Sequence, residues 1–397
     1  MTRAGVKEYV EAVRERYWGA SKREKSKILD EFVGVVGCHR KSAVRLLGRR
    51  RPARRPNNGR RRVYKGEVVD VLRVAWETTD HLCSKRLQPF LPELVPVLRR
   101  CGDRPISPEV ADQLCRMSPS TIDRLLGPWR RSAGQHRFSF TKPGTLIKDS
   151  IPIRTFADWD DDRPGFLEMD LVHHCGESDQ GFYLTTLSTV DVATGWSECM
   201  AVWGKGQDRV GGAVHTMRER LPFALLGLDT DNGSEFINHL LLAYCQREHI
   251  TFTRSRSYKK NDSCYVEQKN WSVVRRIIGY DRYSTNAALE TMNRIYRIVR
   301  LYVNFFQPTM KLLHKTRHGA KVHKVYETAQ TPYRRLLASG KLTGDKRKEL
   351  AAIYAGLNPL LLRRQIDENL KHLLNLAEKP GSRSTTIDKV TYGNTTK

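Results

Sequence analysis

No stretch of the 397-residue chain runs to about 18 apolar residues, the length a membrane span requires. The opening residues, MTRAGVKEYV, are charged and polar and lack the apolar core of a signal peptide. No membrane contact is expected. Eight cysteines are present, but none forms a CxxC pair and their spacing is irregular. That excludes a disulfide framework or a zinc ribbon and leaves reduced cytosolic thiols as the expectation. Acidic residues are scarce, 43 Asp and Glu against 69 Lys and Arg, for a net charge of +26. Such an excess calls for a polyanionic partner, and phosphates release counterions to basic groups whatever the sequence. Nucleic acid, and a cytoplasmic, nucleoid-associated location, follow as expectations. A hydrophobic content of 39% is enough for packed cores, and the length suits two to four domains.

The charge is concentrated at the start. Residues 1–65 hold 20 Lys and Arg against 6 Asp and Glu, a net of +14. Within SKREKSKILDEFVGVVGCHRKSAVRLLG, Ile28, Phe32 and Val35 recur at helical spacing, Gly37 suits a turn, and a second helix follows. Val44 and Leu47 would form its buried side and Arg40, Lys41 and Arg45 its basic one, the helix-turn-helix plan. The run GRRRPARRPNNGRRR contains Arg54, Arg55, Arg60, Arg61 and Arg62. Its arginine density favours an extended arm on DNA over a solvated hinge. This N-terminal region spans 1–64.

Residues 65–130 repeat the plan. Ser107 precedes Pro108 at a helix start, Met117-Ser118 makes a turn, and Ser118 or Ser120 caps the next helix. The sequences SAVRLLG and TIDRLLG align Arg45 with Arg124, which suggests a second helix-turn-helix-like domain and a bipartite DNA site. A connector occupies 131–163, and its DWDDDRPG run is read as a solvated segment. From residue 164 the texture changes. GFLEMDLVHH, GFYLTTLSTVDVATGW and SECMAVWG read as three strands, followed by helix, strand, helix, strand and two long helices. The order β-β-β-α-β-α-β-α-α predicts an α/β core over 164–308 with a mixed five-stranded sheet. Residues 309–397 read as basic and mostly helical, with a short hairpin at His318-Gly319, helix starts at Thr331-Pro332 and Asn358-Pro359, and a disordered tail.

Three acids stand at special places in this core. Asp170 lies within an apolar strand among Leu167, Met169, Leu171 and Val172, where a charge is costly without a partner. Asp231 closes the fourth strand before an Asn232-Gly233 turn, and Glu267 opens a helix 35 residues later. A strand middle, a strand end and a helix start can converge. Hard carboxylate oxygens suit Mg2+, and two such ions about 3.5–4 Å apart activate and stabilise the two oxygens of a phosphoryl transfer.

MDLV, TDNGSEF and YVEQKN, in that order and with that gap, resemble the D,D-35-E signature of the retroviral integrase and insertion-sequence transposase superfamily. The resemblance covers roughly Gly165 to Pro308. It implies a multidomain protein with a ribonuclease-H-like catalytic core behind an all-α helix-turn-helix front end. It also implies a polynucleotidyl transferase that cleaves transposon ends and joins the freed 3′-OH to target DNA. The implied ligands of two Mg2+ or Mn2+ ions are Asp170, Asp231 and Glu267. The implied partners are terminal inverted repeats and target DNA, with a homo-oligomer as the active complex. No His-His-Cys-Cys module precedes the core, which points to a prokaryotic mobile element. An inactive DNA-binding regulator or a ribonuclease-H-like nuclease is the alternative; the three acids favour the enzyme over the regulator.

Other residues have plainer roles. Glu168 shares a strand face with Asp170 and is a lesser rival as ligand. His173, His174 and Cys175 have no second ligand cluster and read as strand-end residues. Asp191 is expected to shape a turn with Gly195. Lys259 and Lys260, in the loop before the Glu267 helix, and Lys269, on that helix, are expected to contact DNA. Trp271 is expected in the core. Asp229 neighbours Asp231, and Glu235 follows Ser234 at a helix start.

Overall fold

The computed structural model describes residues 2–48, 63–102, 105–130, 163–230, 233, 236, 239–254 and 264–378. Asp231, Asn232, Ser234, Glu235, Lys259, Lys260, the arginines 54, 55, 60, 61 and 62, nearly all of the 131–163 connector and the C-terminal tail lie outside the described residues. Two compact units emerge, Met1–Val63 and Tyr64–Lys397.

The first unit contains helices α1 (Arg3–Gly19), α2 (Lys22–Val36) and α3 (Arg40–Gly48). Ser21 and Glu24 form a reciprocal capping box at the start of α2. Gly37, at φ 71°, ends α2 in the left-handed conformation that glycine adopts without a Cβ penalty. The core joins Val10, Val13, Ile28, Leu29, Phe32, Ala43 and Leu47. On α3 the buried pair is Ala43 and Leu47, not Val44 and Leu47; Val44 is exposed. Positions four apart share a helix face, and Val44 lies a further 100° round from Ala43. Val35 is likewise exposed, off the face that Ile28 and Phe32 share.

The second unit opens with α4 (Glu67–Thr78), α5 (Ser84–Cys101), α6 (Pro108–Cys115) and α7 (Pro119–Arg130). Ser107 accepts from Val110 N at 3.3 Å and Ser118 from Thr121 N at 3.2 Å, so both act as the expected caps. These helices share one apolar core with the sheet region. The seam is polar as well. Tyr302 Oη donates to Thr78 O at 2.7 Å, and Gln307 Nε2 to Thr79 O at 2.9 Å. Asp80 pairs with Arg276 at 2.6 Å and Arg363 at 2.8 Å.

The sheet is built from β1 (Phe166–His173), β2 (Leu184–Asp191) and β3 (Ser197–Trp203) in an antiparallel meander. Helix α8 (Gln207–Arg220) leads to β4 (Gly227–Thr230), and α9 (His239–Arg247) to β5 (Thr251–Arg254), both strands parallel to the one before them in the sheet. The order β3-β2-β1-β4-β5 gives the mixed five-stranded sheet expected from the sequence. A Cβ at Gly227 would lie 2.5 Å from Phe166 Cδ1, so glycine leaves room for the Phe166 ring where β4 starts beside β1. Next come α10 (Cys264–Lys269), a π-helical turn (Asn270–Arg275) and α11 (Arg276–Ile278).

Helix α12 (Asn286–Phe306) covers the free edge of β3. Asn293 exchanges hydrogen bonds with Ala201 N and O at 2.9 and 3.0 Å, and Asn304 with Ser197 N and O at 2.9 and 2.9 Å. Side-chain amides thus replace a missing strand and satisfy edge groups that otherwise invite pairing with another chain. A ribbon of β6 (Leu312–His318) and β7 (Lys321–Tyr326) precedes α13 (Pro332–Ala338), α14 (Gly344–Gly356) and α15 (Pro359–Asn375). Thr331 and Asn358 cap α13 and α15. No described helix is long and apolar enough to cross a membrane.

Candidate functional site

Strand alternation puts Glu168 and Asp170 on one face of β1, and α10 packs over β1 and β2. Glu168 is buried, and its Oε2 accepts from Tyr265 N and Val266 N, each at 2.9 Å. A carboxylate on the first backbone amides of a helix satisfies donors that have no intrahelical partner and complements the helix dipole. Glu168 therefore fastens the start of the helix that carries Glu267. Asp170, half-buried, has Oδ1 on Leu171 N at 2.8 Å, and its Oδ2 accepts from Asn270 Nδ2 at 2.6 Å. Asn270 stands one turn beyond Glu267. Two contacts, Glu168 and Asp170, thus lock this helix to β1 on either side of Glu267, whose side chain is exposed.

Strand β4 runs beside β1, with Glu168 opposite Asp229 and Met169 opposite Thr230. Asp229 is buried and accepts from Thr253 Oγ1 of β5 at 2.6 Å. The last described residue before Asp231 is therefore paired with the residue before Asp170. The helix of Glu267 thus lies on the sheet face that carries Glu168 and Asp170, and β4 runs beside that strand.

Among the described residues, no group of three His, Cys, Asp or Glu side chains is arranged to hold a metal ion. Asp170 and Glu267 do offer the hard oxygens that Mg2+ or Mn2+ takes. Beside them, Asn270 Oδ1 is buried with no hydrogen-bond partner, a further oxygen of that kind. These residues fit a divalent ion.

Asn270 was missed in the sequence, although its place three residues after Glu267 on the same helix was a usable signal. Lys269 and Trp271 exchange the places expected of them. Lys269 is only 6% exposed, whereas Trp271 is 59% exposed. Val266, Val273 and Val274 define the inward stripe of this segment, and Lys269 lies on it while Trp271 does not. Burial pulls the Lys269 amine down to about 7, helped by the charges of Arg86 and Arg335. A phosphate contact would need this amine at the surface, where the structure does not put it.

The other residues singled out fall as follows. Arg40 is held within its unit by Asp30 and by Ser26 Oγ at 2.6 Å, while Lys41 and Arg45 on α3 and Arg124 on α7 are exposed. His174 is buried, hydrogen-bonded to Thr186 Oγ1 at 2.7 Å, and held neutral with its pKa lowered to about 3 by burial and then by Arg275. Asp191 Oδ2 accepts from Thr194 N and Oγ1 at 2.7 and 2.6 Å and Oδ1 from Gly165 N at 2.8 Å, with Gly195 at φ 77° completing the turn. Burial raises the Asp191 pKa.

The fold and site define an α/β protein on a mixed five-stranded sheet, with acids gathered where β1, β4 and a docked helix meet. No family model matches the chain. It is 43% identical over 333 residues to "Uncharacterized protein y4rM" of Sinorhizobium fredii (strain NBRC 101917 / NGR234), covering 83% of this chain and 94% of that one. The chain belongs to the same family as that protein. Among solved structures, the catalytic core domain of BIV integrase is 20% identical, covering 44% of this chain and 95% of its own, at a TM-score of 0.31. The HTLV-2 integrase catalytic core domain in complex with magnesium is 16% identical, covering 37% and 90%, at a TM-score of 0.28.

Proposed function

We propose that the protein is a DNA transposase or integrase of the D,D-E type. It binds the ends of a mobile element, cleaves there and joins the freed 3′-OH to target DNA. The observation that carries this reading is the double fastening of the Glu267 helix to β1, through Glu168 and through Asn270 on Asp170. It holds Glu267 to the strand of Asp170, beside the end of β4. Asp170, Asp231 and Glu267 would hold two Mg2+ or Mn2+ ions. Bound there, such ions supply activation of the attacking oxygen and charge stabilisation of the leaving one. Asn270 keeps the Asp170 carboxylate in one orientation, and Glu168 keeps Glu267 from drifting with its helix. Exposure of Glu267 leaves that side of the site open to a DNA strand.

DNA capture belongs to the basic surfaces. Lys41 and Arg45 on α3 and Arg124 on α7 are proposed phosphate or base contacts, and so are the arginines 54, 55, 60, 61 and 62 and Lys259 and Lys260. Pairing two DNA ends requires at least a dimer in the active complex.

The test is an assay with purified protein, Mg2+ and duplexes carrying the DNA that flanks its coding sequence. Specific nicking and strand joining are expected, and Asp231→Asn should abolish both while DNA binding persists. Normal cleavage by Asp231→Asn would remove that residue from the site.

A further inference from the structure

The ribbon β6–β7 stands apart from the rest of the second unit in chemistry. Its 15 residues, LLHKTRHGAKVHKVY, contain two Lys, Arg317 and a further Lys among three histidines, and no acid. Every residue of β7 is exposed, and so are His314, Arg317 and His318 of β6. Among the described residues, Arg317, Lys321 and Lys324 have no ion-pair partner. Register places Arg317, Val322 and Lys324 on one face, and His314, Thr316, His318, Lys321 and His323 on the other. The ribbon therefore has cations on both faces and no buried side.

An isolated two-stranded ribbon is marginal in water, so something must hold this one. Its base is clamped. Arg335, 8% exposed, donates Nη1 to Thr309 Oγ1 at 2.8 Å, Nη2 to Thr309 O at 2.5 Å and Nε to Glu327 Oε1 at 2.9 Å. Thr309 and Gln330 pair by two backbone bonds of 2.9 and 3.0 Å, and the Lys311 amine bonds Ala193 O. A cleft of about 510 Å3 at this base is lined by Thr194, Lys311, Leu313, Glu327, Arg335 and Tyr265. Tyr265 stands two residues before Glu267, so the ribbon springs from beside the helix of the candidate active site.

We infer that β6–β7 is a DNA-reading arm that enters a groove of the duplex next to the segment held at the Glu267 helix. Two strands about 4.8 Å apart fit a major groove about 12 Å wide, which admits a β-ribbon. Six residues of β7 extend about 20 Å at about 3.3 Å each, enough to cross that groove. Arg317 and Lys324 on one face and Lys321 on the other meet the phosphates of the two groove walls, and the hydrogen-bonding groups of Thr316 and the histidines lie within the groove between them. A rigid base and an unshielded cationic tip are what an inserted arm requires. The inference rests on the transposase reading for its choice of duplex DNA.

The test compares full-length protein with the triple variant Arg317→Ala, Lys321→Ala, Lys324→Ala in duplex binding across a salt series. The variant should bind at least about tenfold more weakly at 0.1 M salt, and its slope of log K against log salt should be shallower by about 2–3, since each phosphate contact contributes about 0.9. Its melting temperature should match the parent's. A photo-crosslinking residue in place of Ala320, at the turn, should cross-link to duplex DNA in otherwise unaltered protein. Parental affinity and slope with no cross-link would overturn the inference. So would a changed oligomer mass with unchanged DNA affinity, which would make the ribbon a contact between copies. Loss of metal-dependent nicking from the parent, with the ribbon's binding effects intact, would sink the transposase reading and leave the arm standing. Nicking with a silent ribbon would do the reverse.

Discussion

Asn270 Nδ2 donates to Asp170 Oδ2 at 2.6 Å, joining the helix of Glu267 to the middle of β1. Partners of this kind orient metal-binding carboxylates, and removing them costs about 10–100-fold in metal affinity or activity. Asn270→Ala should lower single-turnover nicking by that factor and raise the Mg2+ concentration needed for half-maximal rate. Its effect on thermal stability should be small by comparison. A variant with parental metal dependence would show that Asp170 needs no such support.

Glu168 should matter to stability first. Its two bonds to backbone amides are charge-assisted, each worth about 1.5–3 kcal/mol. Glu168→Ala should destabilise the second unit by roughly 2–4 kcal/mol in chemical denaturation, while Glu168→Gln, whose amide oxygen still accepts, should recover part of the loss. Equal stability of Glu168→Ala and the parent would exclude the capping role.

Trp271 offers a separate test. An exposed indole one turn from Glu267 can stack on an unpaired base, a contact worth about 1–3 kcal/mol. Trp271→Ala should leave the melting temperature unchanged and weaken binding to frayed or single-stranded ends more than to intact duplex. Equal weakening on both would remove the stacking role.

Acid sensitivity should come in part from His174. Its folded pKa, lowered to about 3, lies below the ordinary histidine value of 6.5, because burial and Arg275 disfavour the imidazolium. Between those two values the unfolded chain binds the extra proton, so stability rises with pH through the window and falls as pH drops from 6.5 toward 3. His174→Gln should cost about 1–3 kcal/mol at pH 7 and flatten the slope of unfolding free energy between pH 6.5 and 4. A slope as steep as the parent's would assign the acid sensitivity to other groups.

The parts of the fold legible in the sequence are those fixed by local pattern. Alternation with β-branched residues gave β1 to β3 away, and Ser107, Ser118, Thr331 and Asn358 marked helix starts because short polar side chains satisfy free amides. What stayed hidden depends on partners far along the chain. Tyr302 of α12 on Thr78 and Arg363 of α15 on Asp80 fuse the 65–130 helices to elements more than 200 residues further along the chain. At the site, Asp170 was visible as a charge in an apolar strand and Glu168 as its rival on the same face, but the capping task of Glu168 was not, since helix amides 97 residues away set it. Lys269 and Trp271 were misplaced for a smaller reason. Helical phase outweighs residue type there, since the stripe of Val266, Val273 and Val274 holds Lys269 inside. The ribbon's strands carry no alternating apolar face, so only their charge was conspicuous.

The central claim is that Asp170, Asp231 and Glu267 act together on DNA phosphate. Its most direct test is single-turnover nicking by Asp170→Asn, Asp231→Asn and Glu267→Gln, with Asp229→Asn as the neighbour for comparison. Loss of a metal-binding carboxylate removes several kcal/mol of transition-state stabilisation, so each of the three should fall by roughly 10³-fold or more with DNA affinity retained. Asp229→Asn, whose carboxylate is engaged by Thr253, should stay within about tenfold of the parent. Substantial nicking by any of the three, or a loss in Asp229→Asn as deep as theirs, would contradict the account.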